Sequence, residues 1–460
     1  MHDARACRRE PRTRCRWVLD LPRCRSGDEG GSDEACWRHA TLWMCPSYDA
    51  GRFACAAGRP MTNEVPLLSA EQLAPVVRRA LQAPNAWPSA WSCERIDIQA
   101  VNPGTAGLYR VVGDAGVAAG ATRPWRMVLK VVHLPDLSGT PLESGFIKNP
   151  EDWNYWKREV LARRSGLPDR FTAPLRPVRC WGTEDVDDTT SWLWLEELDS
   201  SPRRPAWSLP GLAAAAYDLG AFSAQGLRMV EEVQDLPWAL HGLLRPWFAT
   251  SLAIGCQHAL SHEGCWTHPL VRDRIPVSAH ASFAQLAAAA EPLLDRLGGL
   301  PRTVAHHDAW GDNLFQEDGS QGRRTVAIDW DGFGTASIGE DLGHHIALNV
   351  FMGVISPDDA EEHERTATEA YLKGLRGFGW RGDDEEDVRF AAVTVGALQM
   401  LPFAVCHLAW LCPEFDEVEH WPQELAEKQS RDVDSVMDAW CRAFGYLLSL
   451  GERARNTVTD

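Results

Sequence analysis

The sequence predicts an α+β fold in two lobes, a small β-rich N-lobe followed by a larger helical C-lobe. Three observations predict it. At 460 residues, 45% of them apolar and 24% charged, the chain is too long for one small core and has an ordinary globular balance. Short stretches with strand alternation crowd into residues 90–198. After Asp199 the apolar residues recur at helical spacing, and only Thr303 to Trp330 breaks that pattern with short strands.

The elements follow in order. Residues 1–60 hold eleven arginines and no lysine and show no sustained periodicity, so a disordered extension is expected there. Ser69 caps a helix whose apolar face is Leu73, Val76, Val77 and Leu81. "CERIDIQAV" (Cys93 to Val101), "LYRVVGD" and "WRMVLKVV" read as three strands, with "NPGTAG" as the turn after the first. "EDWNYWKREVLARRSGL" reads as a helix closed by Gly166. Strands around "RPVRCWG" and "SWLWLEEL" complete the small sheet. Residues 61–198 are expected to form the N-lobe and 199–460 the C-lobe. Within the latter, "LAAAAYDLGAFSAQGL", "FAQLAAAAEPLLDRLG", "DDAEEHERTATEAYLKGL" and "VDSVMDAWCRAFGYLLSL" are helical patterns.

Composition excludes some classes. A net charge of -18 argues against nonspecific binding to nucleic acid or to an anionic membrane. Ala391 to Cys412 carries no formal charge, which is long enough for a membrane span. Its Thr394, Gln399, Pro402 and His407, and its acidic flanks, point to a buried central helix instead. Thirteen cysteines occur without a C-x-x-C pair, so a zinc or redox motif is not expected. No apolar leader precedes them, and reduced thiols in a cytoplasmic protein are the simpler reading. A monomer or weak dimer is expected.

The candidate chemistry centres on "VAHHDAWGDNLF" (Val304 to Phe315). His306, Asp308 and Asn313 form H-x-D-x-x-x-x-N, which resembles the catalytic-loop spacing of kinases, where the aspartate takes the proton of the attacking hydroxyl and the asparagine holds Mg²⁺. "NLFQ", the turn "EDGSQGRR" and "TVAID" read as a hairpin, and pairing its strands returns Asp329 beside Asn313 and Asp308. Oxygen ligands of this kind suit Mg²⁺. The competing reading of Asp329 is a strand-end carboxylate bonding local amides. Gly332, Gly334 and Gly339 suggest a tight path close to phosphate or to the loop, and Asp341 reads as the N-cap of the helix after it.

Only five of the 46 basic residues are lysines, and one, Lys130, sits in a strand core. Glu159 in the next helix is its natural partner, unless it pairs with Arg163 at i+4. Gly104 and Gly107 would let backbone approach phosphate, although the same residues suit an ordinary hairpin turn. Backbone groups from Glu196 to Leu198, where "WLWLEEL" meets the helical half, would suit an adenine ring.

In this order the motifs resemble those of the aminoglycoside phosphotransferase and choline kinase family, the small-molecule branch of the protein-kinase-like fold. The resemblance spans about residues 90–350. It implies ATP and Mg²⁺ as cofactors and transfer of the γ-phosphoryl group to a hydroxyl of a small molecule. It further implies Asp308 as base, His306 as support for its loop, Asn313 and Asp329 as metal ligands, Lys130 as the phosphate lysine and Glu159 as its partner. His307 stands where protein kinases have Arg, Trp330 and Asp331 follow the metal aspartate, and the glycine loop is reduced. The acidic balance is compatible with a cationic, aminoglycoside-like or amino-alcohol substrate, although solvated helix faces explain most of those carboxylates. Trp310 could stack on substrate.

Two other readings stay open at the level of sequence. A metal-dependent hydrolase could use His306, His307, Asp308, Asp312, Asp329, Asp331, His344 and His345, and would not need Lys130 or Glu159. A nucleotide-binding protein without catalysis would not need Asp308, Asn313 and Asp329 together.

Overall fold

The computed structural model describes residues 65–96, 104–118, 120–135, 148–171, 174–198, 207–319, 322–382, 384–412 and 420–457. The expected extension over residues 1–60 lies outside them. Helix α1 (Ala70–Leu81) opens with the expected Ser69 cap, in a capping box that Gln72 completes.

The strands are β1 (Trp87–Arg95), β2 (Thr105–Ala118), β3 (Ala121–His133), β4 (Leu175–Pro177), β5 (Cys180–Asp187) and β6 (Thr190–Glu196). All but β4 form one antiparallel sheet in the order β1-β2-β3-β6-β5. β1 starts six residues before the expected Cys93, because its pairing with β2 runs from Trp87 opposite Gly116 to Arg95 opposite Tyr109. A tight turn joins β2 to β3, where Gly120 takes φ +79, and Thr105 of "NPGTAG" already opens β2, while Asn102 and Pro103 lie outside the described residues. "RPVRCWG" divides at Val178: β4 leaves for a second sheet beside the C-lobe hairpin, and β5 stays in the first. Helix α2 (Arg158–Ser165) is half the predicted length. Residues 148–157 make turns, with Asn149 Oδ1 accepting from the Glu151 amide, and the Arg158 guanidinium donates to the carbonyls of Asp152 and Trp153. Gly166 closes α2 at φ +67, as expected.

The C-lobe helices form where their periodicity places them: α3 (Leu209–Gly226), α4 (Ala279–Gly298), α5 (Glu340–Phe351), α6 (Ala360–Gly377), α7 (Glu385–Val395), α8 (Leu401–Ala409) and α9 (Val433–Asn456). Short strands β7 (Leu240–His241), β8 (Arg302–Ala305), β9 (Leu314–Gly319), β10 (Gly322–Ala327) and β11 (Gly334–Ser337) make two three-stranded sheets, β4-β10-β9 and β7-β11-β8. Among the described residues, Glu385–Ala409 is the one helical run long and apolar enough to cross a membrane, and 94% of its most apolar window is buried inside the protein. A wider turn at Gly396–Met400 precedes Pro402, which has no amide to give the helix ladder.

The buried apolar residues gather in three clusters. One core gathers Val77, Val111, Met127, Leu129 and Trp194 between α1 and the first sheet. A far larger one holds the C-lobe helices around Phe222, Leu342, Tyr371 and Phe444. A small third cluster (Val132, Val160, Leu193, Leu195, Val326) lies where the two halves meet. Arg176 fastens the same seam: its buried guanidinium bonds Glu196 at the end of β6 and Glu317 in β9.

Candidate active site

The site is built at that seam. Lys130 is mid-strand in β3, opposite Leu108 of β2 and Leu193 of β6. Its ammonium lies 2.6 Å from Glu159 of α2 and 2.6 Å from Asp329 beyond β10. Lys130 is 7% exposed and Glu159 1% exposed, so this is no surface pair. Glu159 therefore turns to Lys130, and its other oxygen accepts from the Trp330 amide. Burial alone would lower the lysine pKa, but Asp329, Glu159 and Asp331 more than offset it and raise it above the usual range. Burial raises Asp329, and Lys130 reverses this to a net lowering, so the pair stands as ammonium and carboxylate.

The hairpin delivers the remaining groups. Its register sets Leu314 opposite Ala327, and the Ile328 amide donates to the Asn313 carbonyl. Asn313 and Asp329 thus follow from one pairing, as the pattern predicted. The Asn313 side-chain amide donates to the Asp308 carboxylate at 2.6 Å and to its carbonyl at 3.0 Å. Burial first, then Asp331 and Asp329, push the Asp308 pKa well above the carboxylate range. Asp308 and Asp329 both keep part of their surface accessible.

His306 holds the loop. Its Nε2–H donates to the Ile328 carbonyl at 2.8 Å, and its Nδ1 accepts from the Asp308 amide. Burial lowers its pKa to about 4, so it is a neutral brace. His307 takes φ +64 and Asp329 φ +58, two of four such non-glycine residues described, and both flank the acidic cluster. Asp341 is not the helix N-cap, a place taken by Gly339. Its carboxylate instead accepts from the His306 amide at 2.9 Å and the His307 amide at 2.8 Å. Gly332 is required by close approach, since a Cβ there would stand 2.4 Å from the His306 carbonyl.

Gly104 and Gly107 frame the start of β2, the Gly104 carbonyl accepting from His133 and Gly107 pairing with Val131 beside Lys130. The Glu196 amide donates to the Arg179 carbonyl, so it is committed inside the lobe, and its carboxylate bridges Arg176 and Arg179. Leu198 packs on the seam cluster. Trp310 packs against the C-lobe core. The sequence reading missed Arg158, whose buried guanidinium donates to the carbonyls of Trp238, Trp153 and Asp331. No spacing rule marks such a residue.

The histidines do not form the metal cluster that a hydrolase would need. His307 Nδ1–H donates to the Gly332 carbonyl, His344 pairs with Gln399, and His345 bridges the Ala309 and Leu212 region of the loop and α3. All are buried, with pKa values lowered by burial. Among the described residues, the one His, Cys, Asp or Glu trio with converging ligand atoms contains none of them.

No family model matches the sequence, and no curated protein matches it. Solved structures do resemble it. A microcompartment-associated aminopropanol kinase is 15% identical over 82% of this chain and 98% of its own, with a TM-score of 0.41. A choline kinase from Cryptosporidium parvum Iowa II is 12% identical over 76% of this chain and 93% of its own, with a TM-score of 0.41. A spectinomycin phosphotransferase in complex with ADP and spectinomycin is 10% identical over 82% of this chain and 100% of its own, with a TM-score of 0.39. The chain is similar to small-molecule kinases. Likeness at these values carries no substrate and no residue role over to it.

Proposed function

We propose that this chain is an ATP-dependent phosphotransferase of the aminoglycoside phosphotransferase and choline kinase type, moving the γ-phosphoryl group to a hydroxyl of a small molecule. One observation carries the reading: the buried ammonium of Lys130 joins Glu159 of the β-rich half to Asp329 of the helical half, which lies 199 residues beyond the lysine. A hydrolase built on the loop would have no use for it. Lys130 neutralises phosphate charge, and Glu159 fixes its position. Residues 61–198 serve as the nucleotide lobe and 199–460 as the catalytic lobe, with Gly104 and Gly107 near the phosphates and Glu196 to Leu198 beside the base.

Asp329 and the Asn313 oxygen are hard donors within one acidic cluster, and they fit Mg²⁺. When bound there, the ion supplies charge neutralisation for the phosphates. It would also offset the repulsion from Asp331 and Asp329 that adds to burial in raising the Asp308 pKa. Asp308 then orients the acceptor hydroxyl and takes its proton, with His306 as a positioning residue. Asp308, Asp312 and Asp331 make the acceptor side acidic, which suits a cationic amino alcohol or amino sugar. The test is ATP consumption against a panel of amino alcohols, amino sugars, nucleosides and neutral sugars, with Lys130→Ala and Asp308→Ala as controls. Turnover of one hydroxyl substrate, lost in both variants, supports the reading. Metal-dependent hydrolysis that survives Lys130→Ala sinks it.

A further inference from the structure

The sequence offered no zinc motif, yet the fold assembles zinc-type ligands outside the site above. His258, Cys265 and Cys412 bring one ligand atom each to within 4.8 Å of one another. His258 lies on the short helix Gln257–Ser261, Cys265 in the turn Glu263–Thr267, and Cys412 just past the end of α8. We propose that these three residues bind a structural Zn²⁺ that ties the end of α8 to the 257–267 turn.

Geometry, chemistry and charge support this. A tetrahedral zinc with Zn–S bonds of about 2.3 Å holds its sulfurs about 3.8 Å apart, so the ligand atoms need to close by at most about 1 Å. Hydrogen bonds hold the turn that carries two of them. The Cys265 amide donates to the His262 carbonyl, the His262 Nδ1–H donates to the His258 carbonyl, and the Trp266 indole donates to the Ala259 carbonyl. The His262 ring stacks on His258 at 4.0 Å between centroids and shields one side of the imidazole. Cys412 is held by its amide bond to the Ala409 carbonyl. Both cysteines are buried and neither is in a disulfide, while His258 is partly exposed and leaves a path for the ion.

Two thiolates and one neutral imidazole are soft ligands, which favour Zn²⁺ over Mg²⁺ or Ca²⁺. Binding is balanced as one Zn²⁺ taken up and two thiol protons released, so the buried site carries no net charge. Water completes the fourth position. The reading is independent of the phosphotransferase proposal and shares no residue with it.

The test is a Co²⁺ titration of the metal-free full chain under reductant. The expected result is a thiolate-to-cobalt charge-transfer band with intense tetrahedral visible bands, saturating at one ion per chain and abolished by Zn²⁺. Serine at the six cysteines of the first 55 residues should leave the bands in place. Cys265→Ser with Cys412→Ser should remove them, with an affinity loss of more than roughly a hundred-fold, and His258→Gln should shift them. Weak bands without thiolate charge transfer mark oxygen ligands and overturn the proposal. So do bands that survive the paired serine variant, or vanish with the six N-terminal cysteines. If the paired variant fails to fold, His258→Gln decides the matter, since bands arising elsewhere, as at Cys256 and Cys406, would not shift with it.

Discussion

The Lys130 ammonium stands 2.6 Å from a carboxylate oxygen of Asp329, and the same nitrogen stands 2.6 Å from Glu159. A buried cation between two carboxylates is both a joint and a device. It couples the position of α2 to the position of the residue after β10, so displacement of either element disturbs the other.

Lys130→Ala removes the cation and leaves the Glu159 carboxylate, 1% exposed, without its partner. Stranding one member of a buried pair costs about 3–5 kcal/mol. Denaturant melts should show that loss, and single-turnover phosphoryl transfer should fall about 10²- to 10³-fold, as for other deleted electrostatic groups. Lys130→Arg should recover stability better than rate, because a planar fork replaces a point charge.

Asp308→Asn keeps the shape and removes the proposed base. The turnover number should fall about 10²- to 10⁴-fold with little change in the KM for ATP. Equal losses in both would point to a binding role.

Asp308 also sets a pH limb. Its carboxyl is raised by burial and by Asp331 and Asp329, and the base form exists only above that raised value. Activity is therefore expected to fall as pH drops, starting at a higher pH than an ordinary carboxylate would give. Raising Mg²⁺ should move the limb to lower pH, since a nearby cation favours the charged form. A limb indifferent to Mg²⁺ would separate the ion from Asp308.

Asp341 restrains the loop from behind. Asp341→Ala leaves two buried amides, those of His306 and His307, without acceptors, at about 1–3 kcal/mol each. The turnover number should fall more than ATP affinity, because the loop carries the proposed base Asp308 and lies outside the proposed nucleotide lobe. Asp341→Asn retains one oxygen and should recover part of both.

Asp218 in α3 offers a stability test remote from chemistry. It is buried, accepts from the Thr325 amide at 2.9 Å, and burial pushes its pKa to about 6. A carboxyl raised in the folded state contributes stability that is complete below its unfolded value near 4 and is lost as pH rises through about 6. Against Asp218→Asn, the wild type should gain on the order of 2–3 kcal/mol between pH 7 and pH 4. Parallel stability curves would contradict the raised value.

Much of this was legible in the residues. A hairpin register is local, so the spacing of Asn313 and Asp329 about one turn already implied their meeting. Helices α3, α4, α6 and α9 declare themselves by a repeat that needs no knowledge of partners. A strand lysine in an arginine-rich chain drew attention for the same local reason. The length of α2 departs from the apolar spacing because turn bonds in residues 148–157 and the Arg158 guanidinium bonds to the Asp152 and Trp153 carbonyls override it.

What only the tertiary structure decided are the long-range choices. Sequence left Glu159 free to pair with Arg163, and burial against β3 turned it to Lys130. It left Asp341 as a cap, and the approach of α5 to the loop made it an acceptor for two amides. It placed Arg176 in one strand, and the seam between lobes gave it Glu196 and Glu317. It scattered His258, Cys265 and Cys412, and the packing of α8 on the 257–267 turn gathered them. The physical reason is common to all four. Periodicity fixes which face of an element is apolar, but the partner of a buried polar group depends on which distant element comes to cover it.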